Sequence, residues 1–447
     1  MRAKTPEDVR VRGRIGLLGV AALLLVPVGA TGDRPLPLEA PVAATAPLTA
    51  IAYRGNGFRL AQVDDATLAL GRASDHVAGY AGGWLRAPGG ALLAVAVGTT
   101  TPPGSTLRFV RPATLEWRPG GVPLDGFFRS GLWPAAGRLV AVVDGATRAT
   151  AETVDVAAQA VVARRPLAGI VVWAERSSQG LVVLLQPARK IGPAWLAAIA
   201  ADGSVRSVQL RRILAGTSWK RRGRGNEMIG TMRRPGLAVD PASDTAYVVD
   251  PSGLVASIDL RTLAVAYHRT ARSALSRLGA WLTPAAEAKG LNGPTRRAQW
   301  LGDDLIAITG IDQTVARQRS GGLVFSGRAA GLTILDTRDW HVRTLDPRAN
   351  AATVADGMLL ASGSSWRSGP LKSTSTAEGL AAYGADGALR WRLGEGGVRW
   401  VGAAYGSLVL VGRPASDAYD VVDLQSGKVL RAGVDGPVPQ LLLGAGS

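Results

Sequence analysis

The chain of 447 residues lacks cysteine and has little of the chemistry that most enzymes need. Without cysteine it forms no disulfide framework and offers no thiol for lipid attachment. His76, His268 and His341 are its only histidines, and none is spaced like a zinc ligand or a catalytic pair. The sequence also contains no glycine-rich phosphate loop and no nucleophile elbow. We therefore predict no metal site and no cofactor. Catalysis stays uncertain, and a non-catalytic protein is favoured.

Helical periodicity is also scarce, whereas turn-forming residues are abundant, with 57 glycines and 26 prolines. The segment RPGLAVDPASDTAYVVDPSGLVASIDLRTLAVAYHR, residues 234–269, shows the pattern most clearly. It contains four short apolar runs, GLAV, TAYVV, LVASID and TLAVAY, and the first three are separated by Asp-Pro clusters with Ser or Gly that favour tight turns. Such runs are typical of strands buried on both faces. The segment predicts one four-stranded sheet.

The last two strands of this pattern recur eight times between residues 48 and 443, mostly at the roughly 40–50 residue intervals of propeller blades. A thin sheet cannot bury both faces alone, so repeated sheets stack and close into a ring. Tryptophan marks the first strand of five copies, at Trp84, Trp133, Trp173, Trp300 and Trp400. Packing between blades is the favoured role for these rings, and a position beside the central channel is the alternative.

The two ends of the chain predict how the ring closes. The first copy lacks an innermost strand, and the C-terminal run 439–443 has no blade of its own. We predict that this run completes the N-terminal blade, because that arrangement removes exposed sheet edges. The predicted fold is all-β, a single β-propeller of eight four-stranded blades, with seven blades as the alternative.

The first 30 residues are typical of an export signal. A basic segment precedes an apolar run of 14 residues, Ile15–Val28, and the small residues that follow fit cleavage after Ala30. The run is shorter than the ~20 residues that span a bilayer, and an uncleaved membrane anchor is the alternative. Residues 31–47, rich in proline and alanine, predict a flexible tether. We predict an exported protein, secreted or associated with the cell envelope, whose propeller covers residues 48–447.

The formal net charge of +17 comes mainly from arginine, and one insertion, residues 211–234, contains a cluster of basic residues. Its glycines predict a loop, and its central cations form a candidate anion-binding site: Lys220, Arg221, Arg222 and Arg224. Arginine forks bind carboxylate and phosphate well. A solvated loop without a partner is the simpler interpretation, and nucleic acid is an unlikely partner for an exported protein.

A second insertion, residues 271–296, predicts a short helical segment. Leu275, Leu278 and Leu282 follow helical spacing, Thr283-Pro284 fits the start of a second helix, and Gly290 fits its end. We expect this insertion to cover one end of the ring.

Two segments resemble known repeats. Residues 245–265, TAYVVDPSGLVASIDLRTLAV, are similar to the YVTN-type repeat of exported bacterial propellers. Residues 382–391, AYGADGALRW, resemble the tryptophan-docking repeat of quinoproteins. The resemblance implies a WD40-like or quinoprotein-like propeller. Quinone-dependent dehydrogenases carry the docking repeat in most blades, whereas this chain has one good copy.

These observations predict an exported, non-catalytic propeller that acts as a protein- or ligand-binding scaffold and exists as a monomer. One alternative is a propeller enzyme, a lactone or sugar hydrolase or a quinone-type dehydrogenase. The other is an adhesion protein that binds anionic envelope polymers through the basic insertion. Several carboxylates meeting at the central channel would favour the enzyme.

Overall fold

Antiparallel strands account for nearly all of the regular structure. A computed structural model of the chain describes residues 34–38, 48–100, 103–135, 137–221, 228–270, 293–317, 323–368, 373–394, 400–413 and 418–442. Within these ranges the chain forms strands and no helix, so no helix there is long and apolar enough to cross a membrane. From Pro35 onward the chain forms one compact unit.

The strands fall into groups that we label blades 1 to 8 in chain order, and the first half of the chain contains blades 1 to 4. Blade 1 contains β1 (Thr49–Arg54), β2 (Gly57–Val63), β3 (Leu70–Ala73) and the short β4 (Val77–Ala78). Blade 2 contains β5 (Tyr80–Arg86), β6 (Leu93–Thr100), β7 (Pro103–Arg111), β8 (Glu116–Trp117) and β9 (Val122–Leu124). Blade 3 contains β10 (Phe127–Ala135), β11 (Arg138–Asp144), β12 (Ala149–Asp155) and β13 (Ala160–Pro166). Blade 4 contains β14 (Ile170–Ser177), β15 (Gly180–Gln186), β16 (Ile191–Ala200), β17 (Val205–Arg221) and β18 (Met228–Arg233).

The second half forms blades 5 to 8. Blade 5 contains β19 (Gly236–Asp240), β20 (Thr245–Val249), β21 (Leu254–Asp259) and β22 (Val265–Arg269). Blade 6 contains β23 (Gly293–Gly302), β24 (Leu305–Arg317), β25 (Leu323–Ala329), β26 (Leu332–Asp336) and β27 (Val342–Asp346). Blade 7 contains β28 (Ala351–Ala355), β29 (Met358–Ser368), β30 (Ser373–Tyr383) and β31 (Leu389–Leu393). Blade 8 contains β32 (Trp400–Tyr405), β33 (Leu408–Arg413), β34 (Ala418–Asp423) and β35 (Val429–Asp435), and β36 (Gln440–Leu441) follows it.

Blade 5 confirms the four-stranded pattern that its sequence predicts. Its strands pair in chain order, β19-β20-β21-β22, and begin and end within a few residues of the four apolar runs. By their pairing, the described strands fall into eight such groups, although blades 6 and 7 share one continuous sheet through β25 and β29. The number of blades in the closed ring, eight with seven as the alternative, therefore stays a prediction.

The hydrophobic core lies between the blades. Each cluster of buried side chains joins two consecutive blades, as when Leu184 of blade 4 packs with Val248 of blade 5. One cluster joins the two ends of the chain, with Ala50 of blade 1 packed against Leu410 of blade 8. A single blade would leave its apolar side chains exposed to water, and packing against the neighbouring blades buries them. The stacked blades therefore stabilise one another around a closed ring.

Strand β36 closes the ring as predicted. It pairs with β1, placing Ala50 opposite Leu441 and Ile51 opposite Gln440. The amide of Leu442 donates to the carbonyl of Thr49 at 2.8 Å, and Leu442 is fully buried. The last strand of the chain is thus the innermost strand of the first blade.

The docking-type segment in blade 7 connects it to the next blade. The indole Nε1–H of Trp391 donates to the carbonyl of Leu424 in blade 8 at 2.8 Å. The ring lies so close to Gly427 that a Cβ there would come within 2.6 Å of it. One tryptophan therefore packs against the neighbouring blade and hydrogen-bonds to it.

Two of the predicted boundaries change. The predicted tether is described only at 34–38, where Leu36 is buried between blades 6 and 7 and its amide donates to the carbonyl of Ala385. That short part is packed, because Leu36 finds an apolar cleft between blades. Of the predicted helical insertion, residues 271–292 lie outside the described residues, and Gly293–Arg296 belong to β23.

Antiparallel pairing gives the propeller two distinguishable ends. We call the end at which the first strand of each blade begins the leading face, and the opposite end the trailing face. Second strands lead into third strands at the leading face, where fourth strands also end. Third strands turn into fourth strands at the trailing face.

Candidate functional site

Three hairpin arms extend from the leading face beyond the blades. The blade 4 arm pairs the end of β17 with β18, from Gly216 opposite Arg233 to Arg221 opposite Met228. The blade 6 arm pairs β24 with β25, and the blade 7 arm pairs the far parts of β29 and β30. The last two arms join through β25 and β29 into one four-stranded sheet, which we call the joined arms. Among the described residues, only the leading face carries such arms.

The predicted basic loop is in part a β-hairpin. Lys220 and Arg221 lie in β17, opposite Ile229 and Met228 of β18, and Arg222 and Arg224 lie outside the described residues. The loop prediction was wrong for the strand residues because Ile213, Thr217 and Trp219 are strand formers. Of the glycines that suggested a loop, Gly216 lies in β17 and Gly230 in β18, and Gly223 and Gly225 lie outside the described residues. The hairpin brings this basic segment to the leading face.

The five tryptophans singled out from the sequence all lie in first strands, in different environments. Trp84 and Trp133 are buried between blades, each 6% exposed. Trp173 and Trp300 are half-buried, and Trp300 stacks on Tyr247 of blade 5 with ring centroids 5.5 Å apart. Trp400 is 42% exposed at the start of β32.

The exposed aromatic side chains are concentrated at the leading face. In the described part of the chain they are Tyr80, Trp219, Phe325 and Trp400. Tyr80 and Trp400 begin first strands, and Trp219 and Phe325 lie on arms. Four exposed large aliphatic side chains, Leu70, Val162, Leu389 and Leu430, instead lie on fourth strands, towards the trailing face. A fifth, Leu214, lies on β17 near the leading face. The two ends of the propeller therefore differ in surface chemistry.

Two of these rings rest on glycines of the neighbouring strand. Tyr80 is opposite Gly98 and Trp400 is opposite Gly412. A Cβ at either glycine would come within about 2.3 Å of the ring. Glycine at these positions leaves room for the ring to lie across the sheet edge. The local sequence thus holds each ring in place.

Arginine–carboxylate pairs brace the connections at this end. Arg233 donates twice to Asp250, at 3.2 and 2.7 Å, and so links blade 4 to blade 5. Arg413 donates twice to Asp420 within blade 8. Both carboxylates are nearly fully buried. Bidentate pairs of this kind fix geometry as well as charge, so the leading face is rigidly supported.

Further arginines surround the inner opening of the ring. The guanidinium of Arg297 in blade 6 lies 5.6 Å from the ring centroid of Trp173 in blade 4. The charge of Arg129 in blade 3 acts on Arg234 at the start of blade 5. Both interactions join blades that are not consecutive, and Trp173 also donates to the carbonyl of Pro235, so these side chains come together near the start of blade 5.

The electrostatics of this opening are mainly positive. Burial lowers the pKa of the Arg234 guanidinium, and the charge of Arg129 lowers it further. The carboxylate of Glu175 lies near Arg297, and burial raises the pKa of Glu175 to about 7 against the opposing effect of the Arg297 charge. Within the described part of the chain, neither Arg234 nor Arg297 has an ion-pair partner. Sequence reasoning missed these arginines, although arginine recurs within or beside first strands at Arg86, Arg129, Arg176, Arg234 and Arg297.

The histidines and carboxylates form no recognisable catalytic centre within the described ranges. His268 Nε2 lies 3.0 Å from Ser257 Oγ, but both belong to the outer strands of blade 5. The His268 ring stacks on Trp340 with centroids 3.7 Å apart, and burial lowers its pKa. No group of three His, Asp or Glu residues that could hold a metal occurs in the described chain. The Ser–His contact is therefore best explained as packing within blade 5, and the His268–Trp340 stack as packing between blades 5 and 6.

Two clefts open at the leading face. One, of about 540 Å³, lies between blades 5 and 6 and is lined by Asp250, Arg296 and His341. The other, of about 580 Å³, lies on the joined arms. Their linings combine charged and hydroxyl side chains with apolar ones, so each cleft can hold a ligand that carries polar groups.

Comparison with known proteins identifies the fold. No protein-family model matches the sequence, and no curated protein sequence matches it. Among solved structures, the chain is similar to dihydro-heme d1 dehydrogenase NirN in complex with DHE, at 12% identity over 93% of this chain and 78% of that chain, with a TM-score of 0.51. Similarity to apo AztD from Citrobacter koseri is 12% over 88% and 96%, with a TM-score of 0.46. Similarity to a protein from Lactobacillus plantarum is 10% over 88% and 98%, with a TM-score of 0.43. The chain adopts the β-propeller fold, and at these identities the likeness shows the fold alone.

Proposed function

We propose that this protein is an exported, non-catalytic β-propeller that binds a protein or ligand at the cell envelope, through its leading face. The observation that carries the proposal is the confinement of exposed aromatic side chains, in the described residues, to that face. Aromatic rings and arginine dominate the centres of binding interfaces. The arms enlarge the same face and the arginine–carboxylate pairs hold it rigid. Export is supported by the pattern of the first 30 residues.

Retention on a native envelope preparation tests the binding proposal. In one variant Tyr80, Trp219, Phe325 and Trp400 become serine. In a matched variant Leu70, Val162, Leu389 and Leu430 become serine, which removes as many exposed apolar side chains from the fourth strands. We expect the first variant to lose retention and the second to keep it. Equal retention of both would overturn the proposal, provided that their melting temperatures agree.

Export is tested by the mass of the mature chain. We expect the protein recovered outside the cytoplasm to begin at Thr31. A full-length protein that stays in the cytoplasm would contradict export. A full-length protein in the membrane fraction would favour the uncleaved anchor instead.

A second candidate function is adhesion to an anionic envelope polymer. It is favoured by the position of Lys220 and Arg221 on a leading-face arm, next to the exposed Trp219. Retention on an anionic matrix is then expected to fall when Lys220, Arg221, Arg222 and Arg224 become alanine. Unchanged retention would exclude this candidate.

The propeller enzyme remains the other alternative. The described first strands bring arginines and a single carboxylate to the inner opening, which suits binding of an anion more than a calcium-dependent hydrolase. Activity assays on lactones and with quinone cofactors test this alternative directly.

A further inference from the structure

The joined arms present a regular polar surface. Their registers place four side chains directly opposite one another across four strands, in the row Thr314, Ser326, Arg367 and Thr374. Adjacent strands are about 4.8 Å apart, so the row extends about 14 Å. Alternate residues of a strand share a face, which adds Asp312 and Arg328 to the same surface. Every side chain named here can form hydrogen bonds.

Two arginines on this surface lack a counter-charge. Asp312 faces Arg328 across the strands, but its Oδ1 accepts from Arg296 at 2.8 Å instead. Arg328 and Arg367 are both exposed, and within the described chain neither has an ion-pair or hydrogen-bond partner for its guanidinium. They are diagonal neighbours, about 7 Å apart at their Cβ atoms. Two unpaired guanidinium groups at this distance create a local excess of positive charge.

Hydroxyl groups flank these arginines. The hydroxyls of Thr314 and Ser326 are hydrogen-bonded to each other at 2.7 Å, and Thr374 lies beyond Arg367. A hydroxyl both donates and accepts, which matches the hydroxyls of a sugar. A guanidinium fork matches a carboxylate, sulfate or phosphate. The cleft of about 580 Å³ over these residues has room for several sugar atoms in addition to one ion.

We propose that the joined arms bind an anionic glycan, a polyhydroxylated chain that carries oxyanions. The oxyanions of the glycan contact Arg328 and Arg367, and its sugar units lie along the row of Thr314, Ser326 and Thr374. A protein partner fits the row poorly, because its four side chains include no large apolar one, although Trp366 also lines the cleft. The inference rests on the proposed function in one respect, that the partner belongs to the envelope, and it names the chemistry of that partner.

Isothermal titration calorimetry on the purified full chain tests the inference. Trigalacturonate probes carboxylate-bearing glycans and a glycerol phosphate oligomer probes phosphate-bearing ones, with maltotriose as the neutral control. We expect at least one anionic probe to bind and maltotriose not to bind. Which anionic probe binds more tightly identifies the source of the oxyanion. Binding of neither anionic probe, or equal binding of maltotriose, would overturn the inference.

Matched variants locate the site. R328Q/R367Q is expected to weaken binding about tenfold or more, because charge-assisted hydrogen bonds are lost. The control R72Q/R269Q removes the same charge from outer strands of blades 1 and 5 and is expected to change the affinity by less than about twofold. The variant T314V/T374V keeps the strand propensity and the charge of the parent. It is expected to weaken binding of the anionic glycan probe about fivefold, whereas binding of inorganic sulfate, titrated in the same way, is expected to stay unchanged. Equal losses in the charge variant and its control would overturn the inference.

The two proposals fail separately. Loss of envelope retention in the aromatic variant, with no glycan binding, would end this inference and leave the proposed function standing. Glycan binding by the joined arms, with full envelope retention of the aromatic variant, would end the proposed role of the exposed rings and leave this inference standing.

Discussion

Burial raises the pKa of the Glu175 carboxyl to about 7 from its ordinary 4.5, and the charge of Arg297 offsets only part of that rise. Between pH 4.5 and about 7, the Glu175 carboxyl is protonated in the folded chain and ionised in the unfolded chain. The free energy of unfolding therefore falls as the pH rises from about 5 to about 8. Arg297 faces Glu175 from β23 and Arg176 adjoins it on β14, and neither changes its charge in this range.

Replacing Glu175 by glutamine tests this linkage. The amide does not ionise, so the variant avoids the cost of a buried charge at high pH. We expect E175Q to be more stable than the parent at pH 8 by on the order of 2 kcal/mol, with little gain at pH 5. Denaturant unfolding at both pH values measures the difference. A gain of the same size at pH 5 and pH 8 would contradict the assignment.

Asp346 links blade 6 to blade 7 through a buried network. Its carboxylate accepts from Tyr383 at 2.8 Å and from Arg392 at 2.9 Å. Burial alone would raise the pKa of Asp346, but the Arg348 amide, Arg392 and Tyr383 together hold it below its usual range. The stability that this carboxylate contributes is therefore present above its unfolded pKa and lost in acid.

The substitution Asp346→Asn is expected to cost about 3 kcal/mol, because it removes one partner of a buried charged pair. Asp386→Asn is the control in blade 7, since Asp386 pairs with Arg390 at 2.7 Å with both side chains about half exposed. That change is expected to cost less than about 1 kcal/mol. Thermal unfolding at pH 7 compares the two, and equal losses would show that the buried network does not link the blades.

At the scale of single strands, glycines determine where the exposed rings lie. A Cβ at Gly412 would come within 2.3 Å of the Trp400 ring. We expect G412A to displace this ring and to raise its rate of oxidation by hydroxyl radicals, measured by mass spectrometry. The control G137A places a methyl group where no atom lies within 4 Å. An unchanged oxidation rate for Trp400 in G412A would contradict the packing described.

The strands of the blades could be predicted because each is marked locally. In blade 5, Asp-Pro clusters separate the first three apolar runs, and the strands begin and end near those marks. The closing strand was also predictable, since its apolar residues had no other blade to join. Turn chemistry and apolar runs are local signals, and a single sequence carries them fully.

The arms were less visible in the sequence. Strands β17, β24 and β29 run on from a blade into an arm, and the only local mark of the boundary is one glycine in each strand, Gly216, Gly310 or Gly363. A single glycine does not predict a turn, so the boundary was not visible. The pairing of β25 with β29 joins residues of two different blades, and no local pattern encodes it. The inner arginines were missed for a similar reason: Arg129, Arg234 and Arg297 come together only when three blades are placed around one axis.

For the whole molecule, closure depends on the last strand. Leu441 and Leu442 are buried, and β36 covers the inner edge of β1. We expect a chain that ends at Gly436 to melt at a clearly lower temperature, since losing each buried leucine costs about 2–5 kcal/mol and an open edge invites association. Calorimetry and size-exclusion chromatography measure both effects.

A chain that ends at Leu443 is the control, because it keeps β36. It is expected to melt at the temperature of the full chain and to stay in the same oligomeric state. If the shorter chain also melts unchanged, the ring is not fastened by its C-terminal strand.

The central claim is that one end of the propeller does the binding. Hydroxyl-radical footprinting of the full chain, free and bound to its envelope preparation, tests this claim most directly. We predict slower oxidation on binding at Tyr80, Trp219, Phe325 and Trp400, with no change at Leu70, Leu389 and Leu430. Protection of these three leucines, with the aromatic side chains oxidised as in the free protein, would contradict it.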